Sequence, residues 1–250
     1  MSEPVPEPFL PIPEDWDTAL VVVAHPDDME FGAAAAIARW TGQGKTVRYV
    51  LATSGEAGID GIAPAECKPL REAEQRESCR IVGVDDVTFL GFPDGVLVYG
   101  LELRAAIARE IRRTRPQMVI TGNFRENWGE PGGLNQADHM ALGQAVLDAA
   151  RDAGNRWIFH DQLVDGLEPW GGVRGVLAAG SPNGRHAVDT TDTFDAGVAS
   201  LEAHKAYIDG LGWADFDPAE FLEGMARAAG TRLGVPRATP FEVYPLAWGG

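Results

Sequence analysis

Two short stretches carry side chains that could do chemistry together. His25-Pro26-Asp27-Asp28-Met29-Glu30 sets one imidazole and three carboxylates side by side, and Asp138-His139 adds one more of each. Adjacent acids repel and lose hydration when buried unless a cation lies between them, and a divalent metal is the most economical one. His25 and Asp28 stand across a tight turn opened by Pro26, close enough to chelate one ion, and His139 supplies a third ligand. Three protein ligands with an open position describe a catalytic rather than a structural zinc site. Such an ion lowers the pKa of a bound water towards about 7, and the spare carboxylate, Asp27, can take the proton as the water attacks a carbonyl. Hydrolysis of an amide or ester with Zn2+ as cofactor is the chemistry this set would support. The plainer alternative is helix capping by Asp27, Asp28 and Asp138. The placement of both clusters on one face of the expected fold favours the metal.

That placement follows from the elements around them. Thr18 to Ala24 is continuously apolar and rich in β-branched residues, the pattern of a strand buried on both faces. The alanines after Met29 predict a helix to about Gln43, stopped by Gly42 and Gly44. The alternation continues with strands at Val47–Ala52, Val87–Leu90, Gln117–Thr121, Gly175–Ala179 and His186–Thr191. Between and after them, helices are expected over Pro69–Val82, Leu101–Thr114, Ala137–Ala153 and Thr193–Leu211. This reads as one α/β domain over 18–250, Rossmann-like and doubly wound, with a mostly parallel sheet and an irregular C-terminal segment. Residues 1–17, with five prolines before Asp15, read as an extended arm. Ligands of such sheets bind beyond the carboxyl ends of the strands, where His25 and the loop before His139 fall.

Composition narrows the partners. Thirty-seven acidic against 21 basic residues give a net charge of −16, which repels nucleic acid and anionic membranes. Apolar runs fall short of the roughly 20 residues that cross a bilayer, and the first residues carry no basic or apolar signature of a leader. Cys67 and Cys79 form no CxxC pair, so a reducing cytoplasm is the expected compartment. Gly42-Gln-Gly-Lys-Thr46 lacks the first glycine of a P-loop and sits at a helix end, no GxGxxG follows the first strand, and no GxSxG is present.

The residues also resemble a known family. Val23-Ala-His25-Pro-Asp-Asp28-x-Glu30-x-Gly32 is similar to the AHPDDxExG signature of the PIG-L/LmbE-like N-deacetylases, zinc-dependent enzymes that remove acetyl groups from N-acetylglucosaminyl conjugates. The likeness continues through Thr53-x-Gly55-Glu56-x-Gly58, Arg71-x-x-Glu74, Phe89-Leu-Gly-Phe-Pro-Asp94-Gly95 and Ala137-Asp-His139-x-Ala-x-Gly143, covering about residues 18–150. It implies zinc on His25, Asp28 and His139, Asp27 as general base, and Asp138 among the catalytic groups. Arg71 and Asp94 would lie on the sugar side of the pocket; a solvated helix residue and a turn residue are their plainer readings.

Two positions depart from the family pattern. Its HxDH begins with a histidine where this chain has Gln136, whose amide can donate a hydrogen bond but cannot deliver a proton near neutral pH. Its late AxxxHxSQ segment keeps only His204, either a substrate-side residue or an ordinary helix-surface histidine. The aromatic loop Asn123–Asn135 precedes His139, and its Trp128 could stack on a sugar or simply pack the loop. The expected partner is therefore a small N-acylated substrate, sugar-containing, with self-association left open. The competing function is a noncatalytic α/β protein that kept the metal and binds a small molecule; a metal-free binder is a third. Retention of Asp27 argues for catalysis.

Overall fold

The side chains of Thr18–Val23 divide between two cores. Ala19, Val21 and Val23 point into one cluster with Ile37, Trp40 and Cys79, while Leu20 and Val22 point into another with Ile107, Ile111, Leu142 and Val146. A strand buried on both faces needs apolar residues at every position, which is what the sequence supplies. The computed structural model describes residues 7–129, 132–213 and 215–246; the first six residues of the expected arm lie outside this set.

In chain order the elements begin with β1 (Leu10–Pro11), β2 (Thr18–Val23), α1 (Ala34–Gly42), β3 (Thr46–Leu51), α2 (Pro64–Ile81), β4 (Val87–Phe89), α3 (Leu101–Thr114) and β5 (Met118–Thr121). There follow α4 (Ala137–Asp152), α5 (Asp161–Val164), β6 (Gly175–Ala179), β7 (His186–Asp189), α6 (Phe194–Glu202), α7 (Lys205–Gly210), α8 (Pro218–Leu233) and β8 (Ala238–Pro245). Among the described residues the strands form one sheet in the order β1-β7-β8-β6-β5-β2-β3-β4. Strands β2 to β6 run parallel, and β2 lies between β3 and β5. The winding reverses there, so the loops leaving β2 and β5 part and open a crevice at their carboxyl ends. His25 leaves β2, and the chain from β5 leads to α4, which carries His139 in its first turn.

Several expectations are corrected. The helix expected from Met29 begins at Ala34, because 27–33 are wound in tight turns, with Phe31 N donating to Asp27 O (3.1 Å) and Ala33 N to Met29 O (2.6 Å). Helix α2 starts at Pro64, a favourable first helical residue, and runs through Pro69. The long helix expected over Thr193–Leu211 breaks at Ala203-His204 into α6 and α7. The C-terminal segment expected to be irregular is the helix α8 and the strand β8, which pairs antiparallel with both β6 and β7. The arm, over its described part, lies along the sheet: β1 pairs with β7, and Phe9, Ile12 and Trp16 are buried.

Candidate metal centre

Asp28 shows how the loop after β2 builds the site. Its Oδ2 accepts from the backbone N–H groups of Ala24 (2.9 Å) and His25 (3.0 Å), upstream in the chain. The carboxylate therefore closes the turn rather than capping α1, and its Oδ1 is left facing His139 Nε2 at 3.1 Å and His25 Nδ1 at 3.5 Å. The two imidazole nitrogens are 3.3 Å apart.

Each histidine is held from behind, which fixes its tautomer. His139 Nδ1 donates to Asn135 Oδ1 (2.8 Å), whose orientation is set because Asn135 Nδ2 donates to the carbonyls of Asn123 (2.8 Å) and Arg125 (2.9 Å). His25 Nε2 donates to Asp94 Oδ1 (3.1 Å) and Asp138 Oδ2 (3.3 Å). Asp138 in turn accepts from Gly95 N (2.8 Å) and Leu97 N (3.0 Å), and Asp94 Oδ2 from Ala57 N (2.8 Å). With these bonds made, His25 Nδ1, His139 Nε2 and Asp28 Oδ1 turn three lone pairs towards one another. That is unfavourable unless a cation or an extra proton joins them. Ligand atoms about 2.0–2.1 Å from a tetrahedral ion stand roughly 3.3 Å apart, the spacing seen here. His25, Asp94 and Asp138 form a second group within ligating distance of one another. Their carboxylates are already engaged by backbone donors, so they serve as the anchor of His25, the arrangement usual behind a metal-binding imidazole.

Electrostatics agree with this division. Burial disfavours ionisation of Asp28, yet the imidazoles of His139 and His25 hold its carboxyl far below the usual range. Burial also works against the His25 imidazolium, but Asp28, Asp138 and Asp94 together raise its pKa well above the ordinary value. In Asp27 burial dominates: desolvation pushes its carboxyl well above the usual range, Arg71 opposes this, and the Asp28 charge adds to it. Asp27 also adopts φ +83°, a left-handed conformation that Asp tolerates better than most residues and that buried packing must enforce. Gln75 Oε1 accepts from its N–H (2.9 Å).

A cavity of about 800 Å³ joins these groups, lined in part by His25, Asp27, Asp28, Arg71, Asp94, Trp128, Gln136 and His139. Arg71, expected on the sugar side, is 1% exposed, and its Nη2 donates to Pro26 O (2.7 Å) and Asp27 Oδ2 (2.8 Å). Gln136 is the exposed residue preceding α4, with its side chain free of capping bonds. Trp128 is 45% exposed and stands edge-on to His139, ring centroids 5.9 Å apart. His204 does not line the cavity. It is fully buried, neither ring nitrogen makes a hydrogen bond, and Glu30 Oε2 lies 4.0 Å away. Burial, then the Arg71 charge, lower its pKa to about 3.

Two contributors escape a reading of motifs. Asn135 lies one helical turn before His139, a spacing that could have drawn attention to it. Tyr207, which lines the cavity with its ring 3.7 Å from the Arg71 guanidinium, drew notice in the sequence only as the residue standing where the family segment AxxxHxSQ has its Gln.

Comparison with known proteins agrees with the geometry. Residues 20–150 match the PIG-L family, described as GlcNAc-PI de-N-acetylase. Diacetylchitobiose deacetylase of Thermococcus kodakarensis is 29% identical over 250 residues, spanning 96% of this chain and 86% of its own. Its solved counterpart from Pyrococcus horikoshii, N,N'-diacetylchitobiose deacetylase with an inhibitor, superposes with a TM-score of 0.83 at 24% identity, over 93% of this chain and 85% of its own. GalB, a 4-carboxy-2-hydroxymuconate hydratase of Pseudomonas putida, shares the fold at a TM-score of 0.73 and 20% identity, over 94% of this chain and 99% of its own. The fold by itself therefore does not choose the reaction.

Proposed function

The chain belongs to the PIG-L family of de-N-acetylases, and on that premise we propose that it hydrolyses the N-acetyl group of an amino-sugar with a zinc ion held by His25, Asp28 and His139. The observation that carries this reading is the convergence of three lone-pair atoms 3.1–3.5 Å apart whose other polar atoms are already bonded. Zinc there supplies Lewis acidity that activates a water and polarises the amide carbonyl. His25 and His139 keep their ligating nitrogens in place through Asp138, Asp94 and Asn135.

Asp27 takes the proton that the attacking water gives up. Its burial raises its affinity for that proton, which suits the step in which it acts as base. As water oxygen bonds to the carbonyl carbon and the C–N bond breaks, Asp27 returns the proton to the departing amine, and free amine and acetic acid leave, the acid giving up its remaining proton to solvent. Gln136, at the mouth of α4, donates its amide N–H to the carbonyl oxygen as negative charge develops there. Trp128 offers an indole face to the sugar ring, and Asp94 keeps lone pairs for a hydroxyl. Arg71 is a positioning residue for Asp27. A module that only bound sugar would gain nothing from a carboxylate held buried at positive φ.

Two free, buried cysteines suit a reducing, cytoplasmic setting. The described residues include no helix long and apolar enough to cross a membrane. The test is metal analysis of the purified protein with amine release from a panel of N-acetylated sugars. One equivalent of zinc, loss of turnover on chelation and recovery on zinc addition are expected. A metal-loaded protein that releases amine from none of the panel would leave the noncatalytic binder as the better account.

A further inference from the structure

The cavity that contains the metal centre has a second kind of wall. Phe31, Leu211, Trp213, Phe221 and Met225 line it, and Trp213, Phe221 and Met225 are 54%, 40% and 43% exposed. They come from separate places: Phe31 from the turn after Asp28, Leu211 and Trp213 from the chain leaving α7, and Phe221 and Met225 from one face of α8, a single turn apart. Scattered exposed apolar residues need no explanation, but a contiguous set in one concave surface does, above all in a chain of net charge −16.

These side chains are held in place. Phe31 and Phe221 meet edge-to-face at 5.8 Å, Phe216 packs on Phe221 at 5.5 Å and on Phe31 at 6.2 Å, and Trp213 meets Phe216 at 5.2 Å. The wall is thus a supported aromatic surface with Met225 as its adaptable part. Elsewhere the same cavity presents hydrogen-bonding groups, Asp94 and Gln136 among them. Ligand sites of this form take a molecule with one polar and one apolar portion.

We propose that the substrate is an N-acyl amino-sugar carrying an apolar alkyl or aryl group, and that Phe31, Leu211, Trp213, Phe221 and Met225 form the subsite for that group. This rests on the deacetylase reading for the polar portion of the ligand. All of the wall except Phe31 lies beyond the residues 20–150 that match the family, so the chemistry comes from the shared half of the chain and the selection from the other.

The apolar group could be a longer acyl chain or an aglycone, and two substrate series separate them. One is glucosamine N-acylated with acetyl, butanoyl, hexanoyl or octanoyl; the other is the methyl, butyl, hexyl and octyl β-glycosides of N-acetylglucosamine. Amine release gives kcat/KM on zinc-loaded enzyme, and calorimetry gives binding of the same compounds to Asp27→Asn enzyme. In one series, kcat/KM and affinity should rise roughly threefold per added methylene, and the responding series identifies the source. Phe221→Ser and Met225→Ser should each reduce the octyl-to-methyl or octanoyl-to-acetyl ratio by about tenfold. Flat affinity and turnover in both series overturn the subsite while leaving deacetylation intact. Chain-length-dependent binding without amine release keeps the subsite and removes the deacetylase reading.

Discussion

Arg71 Nη2 lies 2.8 Å from Asp27 Oδ2, with both side chains buried, so the group proposed as base is held by the residue that the family resemblance places on the sugar side. The cation opposes the rise in the Asp27 pKa that burial causes. Arg71→Met therefore raises that pKa further. Because Asp27 acts ionised, the acid limb of the kcat/KM profile moves to higher pH, and the unpaired acid costs about 3–5 kcal/mol of stability in urea titration. Arg71→Lys should recover part of both. An acid limb that stays fixed in Arg71→Met would show that its base is not Asp27.

Asp27 and Asp28 are chemically identical neighbours with different surroundings. Asp27→Asn should keep its zinc and lose on the order of 10² to 10⁴ in kcat, whereas Asp28→Asn should lose the metal itself. Metal content measured on both variants decides this; equal loss in the two refutes the division.

Asn135 is expected to act through His139. Asn135→Leu removes the acceptor at His139 Nδ1 and should weaken zinc binding by about 10- to 100-fold in competition with a chromophoric chelator. Asn135→Asp keeps an acceptor and should bind zinc nearly as wild type does. If Asn135→Leu leaves the affinity unchanged, the 2.8 Å contact does not orient the ligand.

Gln136→Ala should cost about 10² to 10³ in kcat with little change in zinc content, the usual worth of one preorganised donor. The competing account, in which His204 supplies the missing acid, requires a histidine that reaches the cavity, and His204 does not line it. His204→Ala should accordingly retain the alkaline limb of the pH–rate profile. A hundredfold loss in His204→Ala that erases this limb, beside a near-normal Gln136→Ala, reverses the assignment.

His204 should instead govern stability against acid. Its pKa is about 3 in the fold and near 6.5 in the unfolded chain, so below pH 6.5 the unfolded chain takes up a proton that the folded one refuses. This contribution is fully favourable above pH 6.5 and is lost as pH falls towards 3, by up to about 1.4 kcal/mol per pH unit. Urea titrations of wild type and His204→Leu across this range should show the extra slope only in wild type. Parallel curves would mean that His204 titrates normally.

Sequence alone determined what depends on local pattern. Short apolar runs rich in β-branched residues, such as Thr18–Val23, read as strands buried on both faces, and their alternation with amphipathic segments pointed to the parallel sheet and the carboxyl edge where ligands bind. His25, Asp28 and His139 were legible because a turn joins the first two and because the third opens a helix after β5. Only the tertiary structure decided what depends on distant partners. Arg71, 44 positions from Asp27, became its ion-pair partner. His204 ended at the break between α6 and α7, sealed against Glu30. Ala238–Pro245, with a proline inside and another at its end, has no strand-like period, and becomes a strand because β6 and β7 offer it ladders on both sides. Pairing energy that comes from another part of the chain leaves little trace in the segment that receives it.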